Sequence, residues 1–501
     1  MTVSFSNIPS SDIRVPLFYV EIDNSMANSA TETQRTLLIG QMTSEGTATA
    51  GTAYRCTSAS TAAGLCGEGS MLHTMMAAYL KNDSYGETWL LPLADNKSEM
   101  TAATGSISVD SVPTASGVIS LYIAGTRIRQ SVKATYTQAE IVTALVTRIN
   151  GTASLPVTAA AGSDGVSVVL TAKNAGEAGN TIDIRVNYLG SSGGEYTPEG
   201  LTLTIKAMNG GAGAPDMMDA LASLGDRTFD FIVLAYSDTA SLDDMKTFLS
   251  DDEGRWAWDK QIYGHAFTVA TGTYAELAAK GEARNDQHMT FWGMYDVPNT
   301  SYDCAAAMVG ALAQSVRNDP ARPTQTLSVS GILAPPLASR FTLTERNNLL
   351  YSGISTFTVS DDDTVTLENT ITTYQTNSSG AADDSYLQIE TLYTLMYVNR
   401  YMKTQITSKM GRMKLADDGA NIPAGMAIVT PAIIRAELIA QFRTLANNGY
   451  VQDADSFAKQ ILVERDKDNP NRVNVVWPGR LMNQLRIFAV LNQFRLNSSS
   501  D

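Results

Sequence analysis

The sequence has few of the residues that catalysis and metal binding usually require. It contains three histidines, and His73, His265 and His288 are too widely spaced for an HExxH motif or another recognisable ligand pattern. It has no GxxxxGKS/T phosphate loop, and the segment that begins at Gly67 departs from GxGxxG because Leu72 takes the place of the third glycine. We therefore predict no catalytic, cofactor-binding or metal site, and no nucleotide-driven activity.

Cysteine and long apolar runs are also scarce. Cys56, Cys66 and Cys304 form no CxxC pair, and an odd number in so long a chain does not indicate a disulfide framework, so we expect reduced thiols. No stretch approaches the ~18 uninterrupted apolar residues of a membrane span, and residues 1–11 lack the basic start and apolar run of a signal peptide. The expectation is a soluble chain that is neither exported nor inserted into a membrane.

Charge is sparse and unevenly distributed. Charged residues make up 17% of the chain, below the usual ~25%, so much of the surface is either uncharged polar or covered by other subunits. The net charge of -15 argues against nucleic acid as a partner. From Arg400 to the end, fourteen basic and nine acidic residues give +5, whereas the rest of the chain carries -20. The basic end is therefore expected to face an acidic surface.

Two weaker signals leave a ligand site open. Residues 190–194 match GxSxG, but that motif requires a helix directly after the serine turn, and the sequence EYTP follows here. We interpret this stretch as a loop. The core could still bind a ligand where its strands end, near Ser237 and Asp238 or near Thr271, because such crevices are the usual sites in open sheets.

Both ends of the chain are apolar, where most proteins fray. Residues 13–22 (IRVPLFYVEI) and 485–496 (LRIFAVLNQFRL) have the composition of strands. A terminal strand without a neighbour exposes unpaired backbone groups, so it either closes the chain's own sheet or adds to the edge of another molecule's sheet. The residues alone leave both possibilities open. The side chains concerned are Ile13, Val15, Leu17, Phe18, Tyr19, Val20, Leu485, Ile487, Phe488, Val490, Leu491 and Phe494.

The order of predicted elements indicates an α/β core interrupted by an insert. Residues 36–42, 69–80 and 88–93 are typical of strand, helix and strand, and the alternation resumes after residue 210 with strands near 30-residue spacing, which implies a partly parallel sheet covered on both faces. We predict an α/β core with a β-rich inserted domain, an α+β C-terminal domain, and extended N- and C-terminal strand arms. The predicted divisions are an N-terminal arm (1–28), the core (29–103 and 209–340), an inserted outer domain (104–208), an α+β domain (341–480) and a C-terminal arm (481–501).

Several helix starts are marked by capping patterns. Thr137 and Glu140 have capping-box spacing, and Ser241 and Asp244 have the same spacing in a later segment. Near the C-terminus, Pro431 at a first helical position predicts the beginning of another helix.

Taken together, seven segments resemble the contractile tail sheath proteins of Mu-like bacteriophages. The resemblance extends over nearly the whole chain and depends on the order of these segments, since no single one is diagnostic. The segments are SFSNIPSSDIRVPLFYVEIDNS (4–25), GEGSML (67–72), ETWLLPL (87–93), LPVTA (155–159), GNTIDIRV (179–186), RNNLLYSGISTF (346–357) and NVVWPGRLMNQLRIFAVLNQF (474–494).

The resemblance implies a structural subunit and no enzyme. Subunits of this family would form stacked hexameric rings around an inner tail tube, with their arms adding strands to the C-terminal domains of neighbours, and would contract to drive the tube through the host cell envelope. The implied partners are further copies of the chain, the tail tube protein, and baseplate and tail terminator proteins, with no nucleic acid and no direct membrane insertion. The implied location is the virion tail, assembled in the host cytoplasm.

The basic C-terminal third is the natural candidate for the tube-facing surface under this interpretation. Two other classes remain as alternatives, an α/β enzyme and a static virion or baseplate component. The basic residues that we expect to face the tube are Arg400, Lys403, Lys409, Arg412 and Lys414.

Overall fold

A computed structural model describes residues 34–96, 98–423 and 425–495. The N-terminal arm residues predicted above therefore lie outside the described residues. The strands in the described part are β1 Thr36–Gln41, β2 Tyr54–Cys56, β3 Thr88–Leu93, β4 Thr104–Ser111, β5 Gly117–Ile123, β6 Thr126–Val132, β7 Val157–Ala161, β8 Ser167–Ala172, β9 Ile184–Val186, β10 Thr202–Asn209, β11 Phe231–Leu234, β12 His265–Thr271, β13 Met289–Met294, β14 Ser328–Val329, β15 Ile354–Val359, β16 Val365–Asn369, β17 Lys414–Leu415, β18 Ile428–Val429, β19 Val451–Gln452, β20 Leu462–Arg465, β21 Val473–Val476 and β22 Arg480–Leu481.

Helices alternate with these strands in the core and dominate the region after residue 388. The helices in the described part are α1 Ala59–Cys66, α2 Met71–Leu80, α3 Gln138–Asn150, α4 Met218–Ala222, α5 Thr239–Leu249, α6 Tyr274–Glu282, α7 Ser301–Asn318, α8 Leu343–Tyr351, α9 Ile389–Met410, α10 Pro431–Asn447 and α11 Ala454–Gln460. None of them is long and apolar enough to cross a membrane.

The chain divides into two compact units. Within the described residues, the larger unit comprises Gln34–Met396, Asn448–Gln452 and the residues from Arg480 onward. The smaller unit comprises Tyr397–Asn447 and Asp453–Gly479.

A nine-stranded mixed sheet forms the centre of the larger unit. Its order is β14-β16-β15-β13-β12-β11-β1-β3-β2. The pairs from β15 to β3 are parallel, and the pairs at both ends are antiparallel. Every residue of β1, β11 and β13 is buried, so both faces of the sheet are covered, as parallel strands require. The predicted mixed α/β character is confirmed.

The first βαβ unit is also confirmed. β1 and β3 pair in parallel over six residues, with α1 and α2 lying between them in sequence. One capping prediction is wrong in detail: Asp238 is the N-cap of α5, and its carboxylate accepts from the backbone N–H of Ser241. The predicted pair, Ser241 and Asp244, lies inside the helix. Asp238, one turn before Ser241, already accepts from a backbone N–H group that has no partner within the helix.

The segment between residues 104 and 209 has its own strands and its own hydrophobic core. It forms a four-stranded antiparallel sheet, β10-β4-β8-β7, and a three-stranded one, β6-β5-β9. Its helix α3 begins with the predicted capping box, in which Thr137 accepts from Glu140 N–H and the Glu140 carboxylate accepts from Thr137 N–H. Ile141, Leu145 and Ile149 of α3 are fully buried in this core.

The structure differs from the sequence prediction around residues 354–369. We predicted that this segment belongs to the C-terminal domain, 341–480. Instead, β15 pairs in parallel with β13, where Ile354 lies opposite Phe291, and β16 and β14 extend the sheet further. β15 and β16 form a hairpin around the acidic residues 361–363, and the strands of this hairpin complete an edge of the core sheet.

The smaller unit is built around α10, which begins at Pro431 as predicted. Leu438, Phe442 and Leu445 of α10 are buried. Phe442 stacks on Phe457 of α11 at 3.8 Å between ring centroids, and Trp477 lies 5.5 Å from Phe442. This aromatic cluster fixes α11 and the end of β21 on α10.

A buried carboxylate in α7 gives a pH-dependent stability. Burial raises the pKa of Asp303 to about 6, and its Oδ1 has no hydrogen-bond partner in the described structure. A folded-state pKa above the unfolded value favours the protonated form, so the contribution of Asp303 to stability is greatest below pH ~4 and falls as the pH rises through ~6, by ~3 kcal/mol in total. We expect Asp303→Asn to raise the free energy of unfolding at pH 8 by ~1–3 kcal/mol and to flatten this pH dependence.

Urea unfolding at pH 5 and pH 8 measures this effect. Asp252→Asn, at an exposed position, is the matched control and should leave both values unchanged. Equal loss of stability between pH 5 and pH 8 in the wild type and in Asp303→Asn would contradict the prediction.

Candidate functional site

The C-terminal arm exposes a row of large apolar side chains. After β22 the described chain to residue 495 has no helix or strand, and all residues from 487 to 495 are exposed. Burying one such side chain contributes ~1.5–3 kcal/mol, so this segment is unfavourable in water and needs a covering surface. The predicted arm residues and their exposed fractions are Leu485 67%, Ile487 84%, Phe488 81%, Val490 70%, Leu491 83% and Phe494 79%.

The beginning of this arm is held on the larger unit. β22 pairs antiparallel with β19, with Leu481 opposite Val451. Five residues later, Arg486 forms an ion pair with Glu390 at 2.5 Å. The exposed row therefore begins at a fixed place on the larger unit.

The smaller unit carries a two-stranded ribbon with open edges. β20 and β21 pair antiparallel, from Leu462 opposite Val476 to Arg465 opposite Val473, and neither has a second partner strand among the described residues. Three apolar side chains of the ribbon are exposed: Leu462, Val475 and Val476. Unpaired edges with apolar side chains are the features to which an extended segment adds as a further strand.

The loop of the ribbon is rigidly built. The Asp466 carboxylate accepts from the backbone N–H groups of Asp468 and Asn469 and from the side chain of Asn474. The Asn474 hydrogen bond and these backbone bonds lower the pKa of Asp466. The two strands are thus held in register without any third strand.

The five predicted basic residues lie on the second half of α9 and just beyond it. Arg400 is half-buried, and the other four are exposed. Lys409 forms an ion pair with Glu437 of α10 at 2.7 Å. Burial acts to raise the pKa of Glu437, but the hydrogen bonds from Lys409 and Gln441 and the charge of Lys409 together outweigh it, and the net shift is downward. The helical period places Lys409 on the opposite side of α9 from Arg400, so the five residues do not form a single stripe.

The crevice where an α/β sheet usually binds a ligand is filled by the chain itself. The strand order reverses between β1 and β11, which defines the usual site at their carboxyl ends. There, Gln41 Nε2 donates to Asp95 Oδ1 and to the Ala175 carbonyl, at 2.9 and 2.8 Å. Asn174 Nδ2 donates to the Met42 carbonyl at 3.0 Å. Residues 174 and 175 come from the inserted segment, so the insert occupies this crevice with hydrogen bonds.

The other predicted ligand positions are also engaged in local structure. Asp238 caps α5, as described above. Beside Thr271 there is a cavity of about 270 Å³ that is lined in part by Arg185. The Arg185 guanidinium group is paired with Asp183 and Asp296, at 2.5 and 2.9 Å. Residues 191–193 of the GxSxG match form an exposed turn of 3-10 helix, without the helix that a catalytic serine requires.

The three histidines have structural partners. His73 Nδ1 accepts from Gly69 N–H, His265 Nε2 lies 2.8 Å from Thr290 Oγ1, and His288 Nε2 lies 2.9 Å from Asp251. Burial lowers the pKa of His265 well below its usual value, so the ring stays neutral. Among the described residues, no three His, Cys, Asp or Glu side chains are grouped so that they could hold a metal ion.

The cysteines are free and buried. Burial raises the pKa of Cys66 to about 12, so its thiol is protonated and unreactive near neutral pH.

An apolar arm and a ribbon with open edges are features of a subunit that assembles with other molecules. The comparisons with known proteins agree. Residues 210–373 match the phage tail sheath protein central domain, and residues 381–495 match the phage tail sheath C-terminal domain. The chain is 40% identical over 498 residues to the Mu-like prophage FluMu tail sheath protein of Haemophilus influenzae, covering 99% of this chain and 100% of that relative. The chain belongs to the phage tail sheath family.

Two solved structures are similar to the chain over most of their length. The sheath tail protein of Desulfitobacterium hafniense is 13% identical, with a TM-score of 0.47 over 94% of this chain and 97% of that one. The sheath tail protein Lin1278 of Listeria innocua is 13% identical, with a TM-score of 0.46 over 92% and 94%.

Family membership confirms the resemblance seen in the sequence. The chain is a structural component of a contractile phage tail sheath, and so a part of the virion.

The sequence prediction missed two groups of residues. The first group comprises the residues that contact Arg486, which are Gln325, Gln388 and Glu390, and Thr324, which hydrogen-bonds Glu390. They are distant from Arg486 in sequence and form no motif. The second is Asn174. The sequence does not indicate that this residue fills the crevice, because that role depends on where the strand order reverses, which only the sheet topology shows.

Proposed function

We propose that this chain polymerises as stacked hexameric rings around an inner tail tube and contracts to drive the tube through the host cell envelope. The observation that carries the proposal is the exposed row of apolar side chains at residues 485–494, in a chain that also has a ribbon with two open edges. The two features are complementary: the apolar row needs a surface that covers it, and each open edge of the ribbon needs a strand to pair with.

The C-terminal arm of one copy adds to the ribbon of another copy in this proposal. The apolar side chains Leu462, Val475 and Val476 supply part of the covering surface, and backbone hydrogen bonds along the edge set the register. The ribbon has two edges, so a second arm, the apolar residues 13–22, can occupy the other one. Each copy then both lends and receives strands, which links the copies into a continuous mesh.

Contraction needs no nucleotide under this proposal. Copies are first locked in a less favourable packing, and release to a packing that buries more surface supplies the free energy. The arms keep the mesh intact while the subunits move.

We assign roles to the remaining surfaces from their charge and from their position in the chain. The basic residues Arg400, Lys403, Lys409, Arg412 and Lys414 face the acidic side of the tail tube protein, through ion pairs that are individually weak at a solvated surface, ~0–1 kcal/mol each. Lys409 lies on the opposite side of α9 from Arg400 and pairs with Glu437 in the single chain, so its contact with the tube is the least direct of the five. Residues 104–208 form the outward domain, and baseplate and tail terminator proteins bind the two ends of the polymer.

Electron microscopy of the full-length chain expressed alone tests the proposal. Long striated tubes are expected. Monodisperse monomers at high concentration would instead favour an α/β enzyme, and closed shells or flat assemblies would favour a static virion component.

A charge on the ribbon should block assembly without unfolding the chain. Val476 is 59% exposed in the single chain, so Val476→Asp should change the free energy of unfolding by no more than ~0.5 kcal/mol. In the polymer the carboxylate would be buried between strands, and we expect loss of tubes, measured by sedimentation and electron microscopy.

Tyr196→Asp, at an exposed aromatic residue of the inserted segment, is the matched control and should still form tubes. Normal tube formation by Val476→Asp would contradict the role of the ribbon.

A further inference from the structure

The C-terminal arm is attached to the larger unit at Arg486, which we call the root of the arm. The root lies in a site built around one buried carboxylate. The Glu390 side chain is fully buried, in the first turn of α9, where the helix dipole favours a negative charge. Its Oε1 accepts from the backbone N–H and the hydroxyl of Thr324, at 2.7 and 2.8 Å. A buried carboxylate is costly unless a positive charge and hydrogen bonds compensate it, and Arg486 supplies that charge to Oε2.

Two glutamines also accept hydrogen bonds from the guanidinium group. Arg486 donates to Gln388 Oε1 at 2.8 Å and to Gln325 Oε1 at 3.3 Å. Gln325 Nε2 also donates to the Leu485 carbonyl at 3.1 Å, so it holds the backbone next to the arginine as well. The Arg486 side chain is only 18% exposed, although the residue that follows it is 84% exposed. The Leu485 side chain is 67% exposed although its carbonyl is held, and every described residue from Ile487 onward is exposed.

We infer that Thr324, Gln325, Gln388 and Glu390 form an arginine-binding cradle, and that this cradle fixes the root of the C-terminal arm at Arg486. The part of the arm that is available to another copy therefore begins at Ile487. The use of that part in assembly rests on the proposed function, whereas occupation of the cradle does not.

The cradle sets the reach of the arm. Residues 487–501 number fifteen, and a fully extended chain spans at most ~50 Å over that length. Without the cradle the arm would be free from the end of β22, and the five additional residues would extend its reach by ~17 Å. A fixed root therefore selects neighbours within a defined distance and raises the local concentration of the arm near them.

Trypsin distinguishes a held root from a free one, because Arg486 and Arg495 are both followed by an aliphatic residue. The full-length chain is taken from the monomer peak of a size-exclusion column, and the released C-terminal peptides are followed by mass spectrometry. In the wild type, we expect cleavage after Arg495 to be at least ~10-fold faster than cleavage after Arg486, since cleavage requires local opening.

Glu390→Gln keeps the shape of the side chain but removes its charge. We expect this variant to bring the two cleavage rates to within ~3-fold of each other, with the rate after Arg495 unchanged. Glu45→Gln, at an exposed glutamate, is the matched control and should behave as the wild type. If Glu390→Gln is also cut rapidly after the core residue Arg317, the fold has opened, and Gln388→Ala, which removes one acceptor without leaving a buried charge, takes its place.

Equal cleavage at the two arginines in the wild type would overturn the inference. An unchanged ratio in a folded Glu390→Gln or Gln388→Ala monomer would overturn it as well. Failure of the full-length chain to form tubes contradicts the proposed function but not the cradle, because digestion is measured on the monomer.

Discussion

Removal of residues 487–501 should yield a folded monomer that no longer polymerises. The described part of this segment is exposed throughout, so its loss should change the free energy of unfolding by no more than ~0.5 kcal/mol. In the proposed polymer, the same residues bury five large apolar side chains, each contributing ~1.5–3 kcal/mol before the entropic cost of ordering the arm. Even a net loss of ~4 kcal/mol per contact raises the concentration required for assembly about a thousandfold.

Sedimentation across a concentration series measures this change, with urea unfolding as the check on the fold. Removal of residues 496–501 alone keeps the apolar row and is the matched control, which should polymerise. Removal of residues 1–24, which carry the N-terminal apolar segment, should also abolish tubes. Tubes formed by the 487–501 truncation at the wild-type concentration would show that the arm is dispensable.

Arg317→Met should destabilise the chain by ~3–5 kcal/mol, because it leaves a buried charge without its partner. Asp83 is 1% exposed, and its Oδ2 lies 2.5 Å from Arg317 Nη2. The same carboxylate accepts from the hydroxyl of Tyr79, whose pKa is raised by burial, so that the phenol stays protonated and continues to donate. Arg317 also donates to the Gln34 carbonyl at 3.2 Å. One guanidinium thus connects α7, α2 and the beginning of β1.

Urea unfolding of the monomer measures the loss. Arg322→Met, at an exposed arginine soon after α7, should change the free energy of unfolding by no more than ~0.5 kcal/mol. Adding Asp83→Leu to Arg317→Met should recover part of the loss, since it removes the uncompensated charge. Equal stability of Arg317→Met and the wild type would contradict the prediction.

The core could be predicted because its signals are local. Thr137 with Glu140 and Pro431 at the start of α10 are short-range patterns, and each determines where a helix begins. The buried runs of β1 and β13 are apolar throughout, which indicates strands covered on both faces.

What could not be predicted depends on contacts between distant residues. Nothing in ISTF at 354–357 reveals that β15 pairs with β13 and not with a later strand, because strand pairing is decided by the whole sheet. The beginning of α9 at Ile389 is another example, because the residues just before it are held by other contacts: the Asp383 carboxylate accepts from Ser385 N–H, and Gln388 bridges to Ile371. The cradle around Arg486 joins residues separated by about a hundred positions and more.

The apolar arm is an intermediate case. The composition of the C-terminal arm predicted that it needs a partner, and its described apolar side chains are exposed on the single chain. Which surface covers them stays a prediction, and so do the tube-facing role of the basic residues and the domain boundaries other than the one at residue 341.

A cryo-electron microscopy map of the polymer formed by the full-length chain tests the central claim most directly. Our account predicts that residues 487–495 of each copy lie as an added strand along β20 or β21 of a different copy, with Arg486 still in its own cradle. A map in which these residues fold back onto the copy that they belong to, with both ribbon edges unpaired, would contradict it.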